Sequence, residues 1–390
     1  MLVSWIMFLK IPFGQTFSTS LRSGSGEMIL EIMLEILSPT IITERRSLRG
    51  FLKTLNYIPA STLRGAILSE LYRNGIVGDD FLKSEREKPS VIASYAYPVT
   101  SGGEKCYPSH PFMYRCKVCG QYENYLGKII EDLESYGELR ELTGIACRNG
   151  HMALENLYSK HYPSDAGKVP ASRFICTSVS KRRGSSETGM LYEYEAITPG
   201  RKFWATLTIP DKIEKYIDGL EIRIGRGISR GFGISKIVKS RVISLRDAAM
   251  RIEEVLTHGR YLVLFGSSPL VSCHEKFYTP YPSEIDLSNI AAISALGEKG
   301  KLMIKTVYGK ADFHIGGWDM HRNAEKVSVK FATRPGAIVV VEYDGTPLAL
   351  AALSLLGTVE RLGDTLITGV NMLHPVRSHP IFTLGASSWV

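Results

Sequence analysis

Gly225-Arg-Gly-Ile-Ser-Arg-Gly-Phe-Gly233 places four glycines and two arginines between two runs of β-type sequence. Glycine admits positive φ and close backbone approach, while arginine offers a forked donor suited to phosphate. Leu220, Ile222 and Ile224 alternate before the stretch, and residues 234–243 after it are β-branched and lysine-rich. A dinucleotide fingerprint must instead open a helix, and here Arg230 interrupts its pattern. No Gly-Lys-Ser/Thr follows either, so a Walker loop is excluded. What remains is an anion-binding turn between strands, or a turn that only joins them.

Working outward, residues 28–37 alternate apolar and acidic side chains, as a half-buried strand does. Residues 40–55 carry Arg45, Arg46, Arg49 and Lys53 and read as an exposed loop. Ser61 is a candidate N-cap for a helix with Leu63, Ile67 and Leu71 on one face and Gly75 as its stop. Arg64 falls in the first turn, where unpaired N–H groups favour an anion. Strands follow at 173–179, 190–197 and 202–209, with a basic hairpin tip at Lys181, Arg182 and Arg183, then a short helix at 211–218. Strand, helix, strand, strand, helix, strand is the order of a ferredoxin-like α+β unit.

A second unit follows residue 245. Helices are expected at 247–257, 287–296 and 347–356, with strands at 261–265, 302–307, 327–331 and 337–343, the last two joined around Arg334, Pro335 and Gly336. The predicted fold class is α+β, with tandem ferredoxin-like domains at 28–246 and 247–390. Residues 1–27 are read as a disordered extension from an upstream start.

The chain has 390 residues, 44% hydrophobic and 22% charged, with 47 Lys+Arg against 39 Asp+Glu for a formal charge of +8. That balance suits a polyanionic partner, with nucleic acid ahead of an anionic membrane. The apolar start is broken by Lys10 and lacks a signal-peptide pattern, and no run reaches transmembrane length, so a cytoplasmic protein is expected.

Residues 101–165 break the pattern, being dense in Cys, His, Tyr, Gly and Pro, and read as an insertion in the first domain. Cys116-Lys-Val-Cys119-Gly is half of a zinc knuckle, and Cys147-Arg-Asn-Gly-His151 supplies a second pair. A closed Cys3His set is structural, which implies an insertion stapled by zinc. Cys106, His110 and His161 are alternative ligands.

Tyr57-Ile-Pro-Ala-Ser-Thr-Leu-Arg-Gly-Ala66, Gly189-Met-Leu-Tyr-Glu-Tyr-Glu-Ala-Ile-Thr-Pro-Gly200 and Arg226 to Gly233 together resemble the RAMP superfamily of CRISPR-associated proteins. More narrowly, they are similar to the large two-domain subunit of type III-D effector complexes that takes the 5′-tag-binding role. The likeness spans most of 28–380. It implies two ferredoxin-like, RRM-related domains whose glycine-rich loops contact CRISPR RNA, in antiviral defence. By position, Arg226, Gly227, Arg230, Gly231 and Gly233 match the family's loop, and Ser61, Arg64 and Gly65 its helix-start motif. Lys181 to Arg183 match its extended thumb, and Gly317 and Trp318 suit its second-domain pattern. Residues 357–369 are a degraded copy of its terminal glycine-rich loop, which sets an RNA contact there in doubt. Tyr57 and Phe232 are candidates to stack on bases, with packing against the sheet favoured for Phe232.

A metal-independent ribonuclease needs a paired general acid and base. His110, His151 and His161 lie in the insertion, and His274, His314 and His321 in the second half, none in a recognisable pair with the basic loop. A target-slicing subunit would present an aspartate after the first strand, where this chain has Glu44. The residues favour a non-catalytic RNA-binding subunit in which Arg45, Arg46, Arg49, Arg64, Arg226 and Arg230 hold RNA, partnered by CRISPR RNA and other effector subunits, with no membrane and no small-molecule cofactor. The rivals are a repeat-specific endoribonuclease and an adaptor that binds only protein.

Overall fold

The computed structural model describes residues 27–43, 51–140, 144–162, 169–179, 186–256, 259–290, 298–319, 324–325 and 327–383. It is a mixed α+β chain, rich in sheet with few helices. The expected N-terminal extension lies outside the described residues, apart from Glu27, which opens the first strand.

The first half contains β1 (Glu27–Ile36), β2 (Phe51–Leu52), α1 (Ala60–Arg73), α2 (Asp79–Glu87) and β3 (Ile92–Ala93). After these come α3 (Leu126–Tyr136) in the insertion, β4 (Ala171–Val179), β5 (Ser186–Ile197), β6 (Lys202–Pro210), α4 (Asp211–Glu214), β7 (Glu221–Arg223) and β8 (Ile234–Val242). The second half contains α5 (Leu245–Glu253), β9 (Leu262–Gly266), β10 (Glu284–Asp286), β11 (Gly300–Tyr308), β12 (Ile338–Gly345), α6 (Pro347–Leu356) and β13 (Leu373–Pro375).

The first sheet runs β7-β8-β1-β6-β3, antiparallel throughout. Its register follows from period-two alternation. Leu30, Ile32 and Leu34 of β1 lie opposite Leu207, Ala205 and Phe203 of β6, and all six join Leu63, Ile67 and Leu71 of α1 in one core. Hairpin β4–β5 does not extend this sheet, as the sequence suggested, but pairs separately with β2. That pairing corrects the reading of 40–55 as an exposed loop: Ile41, Ile42, Leu52 and Thr54 are buried, and Thr43 pairs with Thr54.

The second sheet runs β10-β11-β12-β9-β13. Numbering each half's central strands by their order in the chain, both sheets place the fourth, first, third and second side by side. Residues 327–331 and 337–343 are not neighbours, contrary to expectation. The first run falls in the strand Val329–Ala332, which pairs with Phe313–Ile315, whereas β12 is sandwiched between β9 and β11. The helix expected at 287–296 begins as a 3-10 turn, Leu287–Asn289, and residues 291–297 lie outside the described residues. Helix α6 matches its expected bounds, with Thr346 Oγ1 accepting from Ala349 N at 3.2 Å.

Strand β12 is apolar without alternation because both faces are covered. Val339 and Val341 meet α5 and α6, while Ile338 and Val340, with Val263 and Phe265 of β9, meet the insertion's Phe112, Leu126, Ile129 and Leu133. The seam is close: at Gly336, φ 92°, a Cβ would lie 2.3 Å from the Ser109 carbonyl oxygen. Arg377 closes it with two bonds of 2.7 Å to Glu134. The insertion therefore departs from the first half's sequence to cover the second half's sheet.

Candidate functional site

The glycine-arginine stretch forms the tip of the β7–β8 hairpin. All four glycines have positive φ, from 77° to 85°. At Gly225 a Cβ would fall 2.2 Å from the Ile41 carbonyl oxygen, and at Gly233 2.1 Å from that of Ile224, so both positions exclude any side chain. The loop's base is tied to the segment after β1: Arg226 N donates to Ile41 O at 2.9 Å and Gly233 N to Pro39 O at 3.0 Å. Ile234 N donates to Ser38 Oγ at 2.8 Å. On this fixed base Arg226, Ile228, Ser229 and Arg230 are exposed, the last three as a single 3-10 turn.

Hairpin β4–β5 stands against the loop. Cross-strand pairing puts Phe174 beside Tyr194 and Cys176 beside Tyr192, on one face. Phe232 of the loop meets Phe174 edge-on at 5.2 Å, which is the packing role favoured from sequence. Tyr192 and Tyr194 meet at 5.1 Å and 79°. Arg230 lies beside these rings, and their hydroxyls, Tyr192 foremost, raise the arginine's pKa further. Sequence reading missed these tyrosines, although their spacing of two within a strand was the available signal.

The helix-start motif behaves differently. Pro59 occupies the capping position and α1 begins at Ala60, so Ser61 lies inside the first turn and is not the N-cap. Arg64 turns inward: Nε donates to Val91 O at 2.7 Å and Nη2 to Glu85 Oε2 at 2.8 Å and Glu85 O at 3.0 Å. Burial lowers its pKa and Glu85 opposes that shift. The guanidinium is thus committed to holding α2 and β3 on α1, and we replace its reading as an anion grip with a structural one. Gly65 is exposed, and among the described residues a Cβ there would meet nothing within 4 Å. Gly65→Ala is expected to stabilise the isolated chain by about 0.5–1 kcal/mol, measured by denaturant titration. A lower midpoint would show that the chain itself needs the glycine.

Tyr57 lies among Tyr95, Tyr97, Phe313 and His161, with ring centroids 5.8–6.4 Å away. This cluster joins the two halves, so the ring serves the seam. Residues 357–369 do likewise. They form the hairpin Thr358–Leu362 with Thr365–Val370, and Arg361 donates to the backbone carbonyls of Arg86 and Glu87. A Cβ on Gly369 would lie 2.4 Å from Ala93 O. Arg45, Arg46, Arg49, Lys181, Arg182 and Arg183 lie outside the described residues, as does His321. Gly317 and Trp318 fall at and just before the short pairing of Trp318–Asp319 with Ala324–Glu325.

Cys116, Cys119, Cys147 and His151 converge, their ligand atoms all within 4.8 Å of one another. Cys119 Sγ lies 3.8 Å from Cys147 Sγ, and His151 Nδ1 lies 3.3 Å from Cys147 Sγ and 3.7 Å from Cys116 Sγ. Tetrahedral zinc with Zn–S near 2.3 Å requires sulfur-sulfur edges of about 3.8 Å. The four residues can therefore hold a metal ion. Backbone N–H groups, that of Cys119 foremost, bring the Cys116 thiol down to about 6 and favour its thiolate. The alternative ligands are elsewhere: burial raises the Cys106 thiol to about 12 and lowers His110 to about 3 and His161 to about 4. Both histidines are held neutral inside the protein.

Among the described residues no helix is long and apolar enough to cross a membrane. No protein-family model matches the sequence, and no curated protein matches it. Among solved structures the chain is similar to one from the type III-B Cmr-beta complex bound to cognate target RNA, at 13% identity and TM-score 0.44, over 80% of this chain and 86% of that one. It is similar to a chain of the apo state of Cmr-beta at 14% identity and TM-score 0.33, over 56% and 98%. It is also similar to oligomeric Cmr4 from Pyrococcus furiosus at 15% identity and TM-score 0.28, over 56% and 99%.

Proposed function

We propose that this chain is a RAMP-superfamily subunit of a type III CRISPR effector complex, acting in the cytoplasm in antiviral defence. Its role is to hold the 5′-tag region of CRISPR RNA without cutting it. The observation that carries this reading is the loop: two exposed arginines on a turn whose backbone is fixed by four left-handed glycines and by bonds to the segment after β1. Such a turn grips phosphates without reading bases, which suits a protein that must keep an RNA end in register.

The strand order supports the domain reading. Both sheets carry the fourth-first-third-second order of a ferredoxin-like unit, with α1 after the first strand and α4 before the fourth in the first half, and α6 before the fourth in the second, which supports two such units at 28–246 and 247–390. The RNA contact is assigned to the first unit, because the second unit's glycine hairpin is spent on the seam between them. Arg45, Arg46, Arg49 and the thumb residues Lys181, Arg182 and Arg183, all ahead of the loop in sequence, add positive charge to the same unit. The metal is zinc, held by Cys116, Cys119, Cys147 and His151, and it serves the architecture of the insertion.

Incubating the purified chain with labelled repeat-derived RNA tests the reading. Retention of intact RNA is the expected result. Site-specific cleavage would instead make the chain a processing endoribonuclease, and failure to retain any RNA would favour an adaptor that binds only protein.

A further inference from the structure

Tyr192 and Tyr194 are half-buried side chains on the face of β5 that, with Phe174, is turned to the loop. Apolar packing does not account for them as it does for Phe174, which has Phe232 against it. They stand edge-on to one another at 5.1 Å, in the half of the strand away from the hairpin tip. The acidic residues of the same strand point the other way, because side chains alternate across a pleat. Glu193 lies 3.6 Å from Arg173, and Glu195 accepts from Thr54 N at 3.2 Å. One face of the hairpin therefore holds Phe174 and the two tyrosine rings with the exposed arginine beside them, and the carboxylates Glu193 and Glu195 lie on the other.

We propose that Tyr192 and Tyr194 form a stacking wall for an unpaired nucleobase whose flanking phosphate is held by Arg230. This rests on the RNA-binding reading above and adds to it a base-binding subsite. The ligand class follows from the chemistry: a π-face beside a cation, with no carboxylate on that face, matches single-stranded nucleic acid. A guanidinium has five N–H donors. Phe232, two residues after Arg230, packs on Phe174, the cross-strand neighbour of Tyr194, so the exposed guanidinium is beside the rings with donors left for a phosphate.

The test uses a synthetic single-stranded RNA carrying the repeat-derived tag, in which one nucleotide at a time is replaced by an abasic residue. Wild-type protein is expected to lose about 5- to 100-fold in affinity at one position, the range for one stacked base. Tyr192→Ala with Tyr194→Ala should lose a similar factor on intact RNA and show no further loss at that position. Its salt dependence should match the wild type's, because stacking releases no counterions. Tyr192→Phe with Tyr194→Phe should keep the abasic sensitivity.

An abasic series with no sensitive position in the wild type overturns the proposal, and that result does not depend on the alanine variant folding. A sensitive position whose penalty persists in the alanine variant also overturns it. In both cases the RNA-binding reading survives if Arg226→Ala with Arg230→Ala still weakens binding. Absence of any RNA binding by the wild type overturns both.

Discussion

Cys147→Ser is expected to release the metal and to lower the melting temperature of the whole chain. Cys147 is 3% exposed and touches two other ligands, with Sγ 3.8 Å from Cys119 Sγ and 3.3 Å from His151 Nδ1. A structural zinc site of four ligands is worth about 10–16 kcal/mol in small peptides, so one ligand accounts for about 3–4 kcal/mol. In a chain of this size that corresponds to a fall of about 4–5 °C. The effect should extend beyond the insertion, because its helix α3 covers Val263, Phe265, Ile338 and Val340 of the second sheet. Metal analysis with calorimetry checks this. An unchanged melting temperature, with no metal in the wild-type protein, would remove the site from the account.

Glu85→Ala is expected to cost about 3–5 kcal/mol, because it leaves a buried guanidinium unpaired. Glu85 is 2% exposed and accepts from Arg64 at 2.8 Å, from Ser90 N at 2.7 Å and from Val91 N at 3.1 Å. Its loss takes the side-chain acceptor from Ser90 N and Val91 N and leaves the Arg64 charge with only the carbonyls of Glu85 and Val91. Arg64→Ala should also destabilise, with any fall in RNA affinity following the loss of folded protein. Urea denaturation separates the two roles assigned to Arg64. If Arg64→Ala keeps wild-type stability while RNA affinity falls, Arg64 faces the RNA after all.

What the sequence made legible was local. The alternation of β1, the apolar run of α6 and the glycine-arginine turn each carry their own conformational signal within a few residues. What it concealed was pairing at a distance. Residues 338–341 read as a strand, but an apolar run without alternation does not say which strands flank it, and its second cover comes from residues 112–133. Arg64 looked like a helix-start cation because its partner lies 21 positions further along the chain. The Gly65 position and the Gly225 position show the same contrast in one residue type. A Cβ at the second would strike Ile41 O at 2.2 Å, whereas at the first it would meet no described atom within 4 Å. Sequence alone cannot separate a glycine required by the chain from one that leaves room for a partner. The metal cluster was legible because its two pairs are each local, and only their meeting needed the fold.

The central claim is that the loop holds RNA by its phosphates, and the salt dependence of RNA affinity in wild-type protein and in Arg226→Ala with Arg230→Ala tests it most directly. Two lost phosphate contacts should make the slope of log affinity against log salt shallower by about 1.4, with weaker binding at low salt. Equal affinity and equal slope in the two proteins would contradict the account.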